Sequence, residues 1–252
     1  MTRRFQHDGF DFAFFDEGQG EPVLLIHGFA SSSKVNWIST GWTSFLEEFG
    51  FRVIAFDNRG HGQTSKSYAE ADYAPGKMAG DAASLLSHLG IARAHVIGYS
   101  MGARIAAFLA FEAPDLVQTV TFGGLGDGMV KGVGDWDLIA SALLSDAPET
   151  IADPRGASFR KFADKTHSDR RALAACIVRS RELVTPAQLA YIMAPALVAV
   201  GANDDLAGSA QALASAMPSA EAFEIAGRDH MLAVGDRSFK KAALDFFHRH
   251  PI

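Results

Sequence analysis

One stretch limits the folds open to this chain more than any other. A short apolar run, Ala94-His95-Val96-Ile97, meets a Gly98-Tyr99-Ser100-Met101-Gly102 turn and then an alanine-rich segment, Ala103-Arg104-Ile105-Ala106-Ala107-Phe108. The run has the length of a buried strand and the segment after it reads as a helix, so the chain reverses through one sharp turn centred on Ser100. Glycines two positions either side of the serine remove the Cβ atoms that would collide where strand folds back on helix. The serine takes a strained backbone conformation that pushes its hydroxyl outward. The helix aims its first amides and its positive dipole end at the same point, where they favour developing negative charge. This is a nucleophile elbow, and acyl transfer is the chemistry it suits.

A strand–turn–helix unit needs partners on both sides, and the flanking sequence supplies them. Phe10, Phe12 and Phe14 alternate with Asp11, Ala13 and Phe15, a period-2 pattern that follows an Asp8-Gly9 hairpin signal. Val23-Leu24-Leu25-Ile26 and Arg52-Val53-Ile54-Ala55-Phe56 read as strands buried on both faces, and Val117-Gln118-Thr119-Val120-Thr121-Phe122 as the strand after the elbow helix. Helices are expected from about Trp37 to Glu48, from Tyr73 to Leu89 with Gly90 as its cap, and from Asp236 through Phe247. Roughly seventy residues separate Phe122 from the next strand, Pro195–Val200, where ordinary connections are short. Four helical patterns fill that gap, near 136–144, 157–165, 169–181 and 186–191, behind a glycine-rich entry at 123–134 that reads as a hinge. A last strand is expected near 222–225.

Composition removes several function classes. The net charge of −6 leaves no footprint for nucleic acid. The densest basic stretch, Arg155 to Arg181, interleaves Asp153, Asp164 and Asp169 and reads as a solvated helical face. Arg3 and Arg4 near Met1 precede no apolar stretch, so no secretory signal is expected and the cytoplasm is the expected compartment. The longest uncharged apolar run, 192–202, is too short to span a bilayer. Cys176 is the single cysteine, which excludes an internal disulfide and a thiolate metal cage. No H-E-x-x-H, P-loop or intact G-x-G-x-x-G pattern is present, so no metal and no cofactor is expected.

With these residues in hand, the chain resembles the α/β-hydrolase fold superfamily, and a serine esterase-like, carboxylesterase-like member of it. The resemblance implies a mostly parallel eight-stranded sheet flanked by helices, with a small helical lid inserted after the sixth strand. The core would comprise residues 1–126 and 191–252 and the cap residues 127–190. It further implies that His27-Gly28-Phe29 after the third strand, with Met101, supplies the oxyanion-hole amides of Phe29 and Met101. His27 would shape that loop. Asp57-Asn58-Arg59-Gly60-His61-Gly62-Gln63-Thr64-Ser65 matches the D-x-R-G-x-G-x-S loop of the fold, which is structural, and so a structural role is expected for His61. The G-x-x-D pattern after the seventh strand lands on Asp204, and the late histidine of the family lands on His230.

The expected catalytic triad is therefore Ser100, Asp204 and His230, acting on a small to medium carboxylic ester through an acyl-enzyme. Asp205 and Asp229 are the other carboxylates on these loops, with Asp204 favoured because Asp205 should point away and Asp229 adjoins the histidine. Dehalogenases and epoxide hydrolases of the superfamily carry aspartate at the elbow, against Ser100. Carbon–carbon bond hydrolases keep the serine but often have tryptophan where this chain has Met231. Cofactor-free perhydrolases and haloperoxidase-like enzymes share a methionine after the serine, as Met101 stands here. A small-molecule receptor on the same pocket is the non-enzymatic alternative, and turnover separates it. A small-molecule ester is the expected partner, with neither nucleic acid nor membrane; a homo-oligomer is left open. Trp136, Leu143 and Phe162 are candidate pocket walls in the cap, with packing inside the cap itself as the alternative for each.

Overall fold

The computed structural model describes residues 2–132, 134 and 136–252. Met1 of the N-terminal stretch, Val133 of the expected hinge and Asp135 of the expected cap lie outside the described residues. Eight strands form one sheet: β1 (Arg3–His7), β2 (Phe10–Glu17), β3 (Pro22–Ile26), β4 (Arg52–Phe56), β5 (Ala94–Tyr99), β6 (Val117–Gly123), β7 (Ala196–Gly201) and β8 (Ala220–Ile225). Their spatial order is β1-β2-β4-β3-β5-β6-β7-β8. β1 and β2 are a hairpin whose turn residues Asp8 and Gly9 both have positive φ, 48° and 77°, the left-handed pair a tight two-residue turn requires. β2 also pairs antiparallel with β4, and every later neighbour is parallel.

Alternation along the central strands divides the core between the two faces. Leu24, Ile26, Ile54, Phe56 and Val96 belong to one cluster, where they meet Leu85, Leu86 and Phe108. Those residues come from α2 (Pro75–His88) and α3 (Met101–Glu112). Val23, Leu25, Val53, Ala55 and Ile97 belong to the other cluster with Leu46, Phe239 and Phe247. These belong to α1 (Trp42–Glu48) and to the C-terminal helix (Arg237–His248). Period 2 in the strands thus becomes two cores with helices on both sides, the layer arrangement such strands demand.

Between β6 and β7 run α4 (Gly128–Lys131), α5 (Asp137–Leu144), α6 (Pro154–Lys165), α7 (Arg170–Arg179) and α8 (Pro186–Ala190). Asp153, Asp169 and Thr185 cap the last three by accepting first-turn amides. After β7 come α9 (Ala210–Ala214), α10 (His230–Ala233) and the C-terminal helix, α11. Among the described residues no helix is long and apolar enough to cross a membrane.

Two local expectations change. The helix expected from Trp37 to Glu48 is two pieces, a π-type turn over Lys34–Ile38 and then α1, because Gly41 at φ 75° breaks the path between them. The break lets Trp37 and Trp42 both be buried, rings edge to face at 5.8 Å. The glycine-rich segment after β6 is not a free hinge: Gly126 and Gly128 donate to Ala207 O and Asp127 N donates to Ser209 O, which fasten it to the loop after β7.

Candidate active site

Ser100 has φ 55° and ψ −114°, a strained conformation at the junction of β5 and α3. The reason it is tolerated lies in its flanking glycines. A Cβ at Gly98 would collide with the carbonyl of Gly102, and one at Gly102 with the carbonyl of Ile26 at the end of β3. Ser100 N–H donates to Gly123 O at the end of β6 (2.8 Å), which ties the elbow to that neighbouring strand.

The other two expected residues arrive from adjacent strand ends. Asp204 follows β7, and His230 opens α10 beyond β8. The two loops are laced together by Ala202 N–H to Ile225 O (3.0 Å) and Asn203 N–H to Arg228 O (2.9 Å). His230 Nδ1 lies 2.8 Å from Asp204 Oδ2 and Nε2 lies 3.1 Å from Ser100 Oγ. With Nδ1–H donating to the carboxylate, Nε2 carries the lone pair that accepts the serine proton. The Asp204 side chain is fully buried, and its Oδ1 accepts the amides of Leu206 (2.9 Å) and Ala207 (3.0 Å). Asp205 is exposed. Asp229 spends its carboxylate on capping α10, accepting from the amides of Met231 (3.0 Å) and Leu232 (2.8 Å). Of the three carboxylates, only Asp204 meets the imidazole.

Phe29 and Met101 border the same cavity as Ser100. Met101 is the first residue of α3, so its N–H has no carbonyl inside the helix to meet. The loop bearing Phe29 is set by Gly28 N–H donating to Asn36 Oδ1 (3.1 Å) and by His27, whose Nδ1–H donates to Gly28 O (2.8 Å). His27 Nε2 accepts from Asn58 N–H (2.9 Å). That ring is fully buried, and desolvation lowers its pKa, so it stands as a neutral brace. Asp57 fastens the next loop by accepting from Ser33 N (2.8 Å), Ser33 Oγ (2.7 Å) and Gln63 N (2.8 Å). Arg59 closes a bidentate pair with buried Asp81, at 2.7 and 2.5 Å.

His61 packs against His27 (5.2 Å) and edge-on to Phe29 (6.0 Å). Burial, aided by His27, pushes its pKa down to about 3. In the unfolded chain it titrates near 6.5. Between those values the unfolded state binds the extra proton, so stability is intact above pH 6.5 and is lost progressively as pH falls towards 3. His61→Gln is expected to flatten this limb: the fall in urea midpoint between about pH 7 and about pH 4 should be smaller than in the wild type. Equal falls in the two proteins would exclude His61 as a source of acid lability.

The cavity beside Ser100 is about 300 Å³. The segment between β6 and β7 supplies Trp136, Phe159, Phe162 and Ile177 to its wall, while Leu143 is buried in the core and does not reach it. Phe159, missed from sequence, meets Phe29 at 5.6 Å. Tyr99 was missed as well: its hydroxyl donates to His230 O at 2.6 Å, tying the histidine loop to the residue before Ser100. Burial raises its phenol pKa, so it stays a donor. Cys176 places Sγ 3.7 Å from Met101 Sδ, its thiol pushed up to about 12 by burial. The basic stretch read as a solvated face is not one throughout. Arg155 and Arg181 border the cavity, and Arg160 is buried with its guanidinium on the carbonyls of Ala142 and Ser145.

The fold and these loops have known counterparts. The dihydrolipoyllysine-residue acetyltransferase component of the acetoin cleaving system of Cupriavidus necator is 37% identical over 131 residues, covering 50% of this chain and 33% of that protein. The first curated relatives are matched over between 33% and 59% of their own length. Among solved structures, an esterase from Exiguobacterium antarcticum superposes with a TM-score of 0.82 at 17% identity, covering 98% of this chain and all (100%) of that one. A bromoperoxidase from Bacillus anthracis superposes at 0.79 with 22% identity, covering 98% and 100%. Residues 21–166 match the family model for the alpha/beta hydrolase fold, and they contain the elbow, the loop before Phe29 and the loop of Asp57. With eight strands in that order around a Gly98–Gly102 elbow, the chain belongs to the alpha/beta hydrolase fold family.

Proposed function

We propose that the protein is a serine hydrolase that cleaves small to medium carboxylic esters through an acyl-enzyme. The observation that carries this reading is the hydrogen-bond chain from Asp204 through His230 to Ser100 at the wall of a largely apolar cavity. Ser100 Oγ attacks the ester carbonyl as its proton passes to His230 Nε2, and Asp204 stabilises the imidazolium that results. The carbonyl oxygen becomes an oxyanion facing the amides of Phe29 and Met101, each such donor contributing about 3 kcal/mol to the transition state. His230 returns the proton to the departing alkoxide, and water activated by the same imidazole then releases the acid.

Residues 127–190 act in this reading as a lid that sets acyl-chain preference. A panel of p-nitrophenyl esters of increasing chain length tests both parts. Phe159→Ala and Phe162→Ala are each expected to shift relative kcat/KM among chain lengths by about tenfold, with folding retained because both side chains face the cavity. Unchanged ratios in both variants would remove the lid from substrate selection. Absence of turnover across the panel, with peracid formed from acetate and hydrogen peroxide, would move the chemistry to perhydrolysis.

A further inference from the structure

The wall of the cavity is unequally charged. Arg104, Arg155 and Arg181 border it, and among the described residues no aspartate or glutamate does, although the chain as a whole carries a net charge of −6. Arg181 has an anion of its own, Asp137 at 2.7 Å. Arg104 does not. It is 5% exposed, and burial without a carboxylate to offset it lowers its pKa to about 10.

Arg104 lies one helical turn beyond Ser100 on α3, so its side chain leaves the helix on the same face as the nucleophile turn. A guanidinium has five N–H donors. Both on Nη1 are spent, on Met129 O and Glu182 O at 2.9 Å each, and one on Nη2 reaches Gly128 O at a long 3.5 Å. Among the described residues the Nε–H and the second Nη2–H have no partner. The Nε/Nη2 edge of a guanidinium presents two parallel N–H groups at the spacing that meets both oxygens of a carboxylate. Carbonyl dipoles offset only part of the cost of taking a full charge out of water, so the site is electrostatically incomplete without an anion. Around it Phe29, Leu125, Phe162 and Ile177 give the cavity the apolar surface that suits a methylene chain.

We propose that this cavity seats a carboxylate on the Nε/Nη2 edge of Arg104, so that the preferred substrate is an ester whose acyl chain ends in a carboxylate, a monoester of a dicarboxylic acid. The ester bond in this statement rests on the reading of Ser100 as nucleophile; the anion site does not. Isothermal titration separates the two. Ser100→Ala is titrated with the monomethyl esters of glutaric, adipic and suberic acids, and with the methyl esters of pentanoic, hexanoic and octanoic acids. At least one diacid monoester should bind about tenfold or more tightly than its uncharged match. In the wild type, kcat/KM for mono-4-nitrophenyl adipate, glutarate or suberate should exceed that of the matching monocarboxylic ester by a similar factor.

Arg104→Met should erase the preference and Arg104→Lys should keep part of it, both checked for folding by circular dichroism because Arg104 also ties α3 to Met129 and Glu182. If neither variant folds, the wild-type and Ser100→Ala comparisons decide alone. Preferential binding without turnover of any ester would retire the esterase reading and leave the anion site standing. Ester turnover with no preference for the charged acyl chains in binding or catalysis, or a preference that survives Arg104→Met, overturns the proposal and leaves Arg104 a structural clamp.

Discussion

Ser100→Ala is expected to lower kcat for p-nitrophenyl esters by about 10⁶-fold, leaving only the residual rate that binding and the oxyanion amides sustain. The size of the effect follows from Ser100 Oγ being, among the described residues, the one oxygen bonded to His230 Nε2, at 3.1 Å. Without it the imidazole has a proton acceptor's geometry and no nucleophile to serve. The fold should survive, since among the described residues the hydroxyl's one side-chain partner is His230 and alanine keeps the Cβ that this backbone position already carries. Thermal denaturation of wild type and variant should therefore give similar Tm values, and a fluorophosphonate probe should label the wild type at Ser100 alone, as read by peptide mass spectrometry. Labelling elsewhere, or retained activity in the variant, would displace Ser100 from the mechanism.

Asp204→Asn should cost about 10⁴ in kcat, while Asp205→Asn stays near the wild-type rate. The carboxamide keeps an oxygen to accept from Leu206 N and Ala207 N, so the loop geometry is retained. Its nitrogen then faces His230 Nδ1, donor against donor. The ring escapes by moving its proton to Nε2, the tautomer that cannot take one from serine. Asp205 is exposed and makes no contact with the imidazole, so neutralising it alters only a solvated charge. Comparable losses in both variants would mean that the carboxylate acts through the field of the loop rather than through one hydrogen bond.

Much of this was legible along the chain because it depends on short-range pattern. Buried parallel strands leave unbroken apolar runs, as at Val23–Ile26, and the ends of such strands are where Phe29, Ser100 and Asp204 stand. Asp8-Gly9 encodes the positive φ of a tight turn, and Gly98 and Gly102 encode a backbone approach that any Cβ would block. What escaped depends on distant partners. Tyr99 meets His230 across 131 positions, and Cys176 meets Met101 across 75. The periodicity of α6 says that Phe159 and Phe162 share a face; it does not say that a cavity lies opposite. The arginines of 155–181 read as solvated because interleaved acids suggest mutual screening, yet three-dimensional packing turns Arg155 and Arg181 to the cavity and sends Arg160 inward. The helix expected at Trp37 failed for the converse reason: two buried tryptophans outweigh continuous helical hydrogen bonding once Gly41 allows the turn.

The close approach of Gly102 to the carbonyl of Ile26 has a dynamic consequence. With no side chain between them, the start of α3 rests directly on the end of β3, and Gly28, beside Ser100 and Tyr99 O, fills the remaining space. The Ser100 turn and the Phe29 loop are thereby packed backbone against backbone, and a displacement of one displaces the other. The segment between β6 and β7 meets this base differently, through the Arg104 guanidinium on Met129 O and Glu182 O and through the ring of Phe159 against Phe29. In the proposed reaction, a movement of that segment would have to release these contacts and not the backbone packing of Gly102 on Ile26, so that Ser100 and the Phe29 loop would keep one geometry from cycle to cycle.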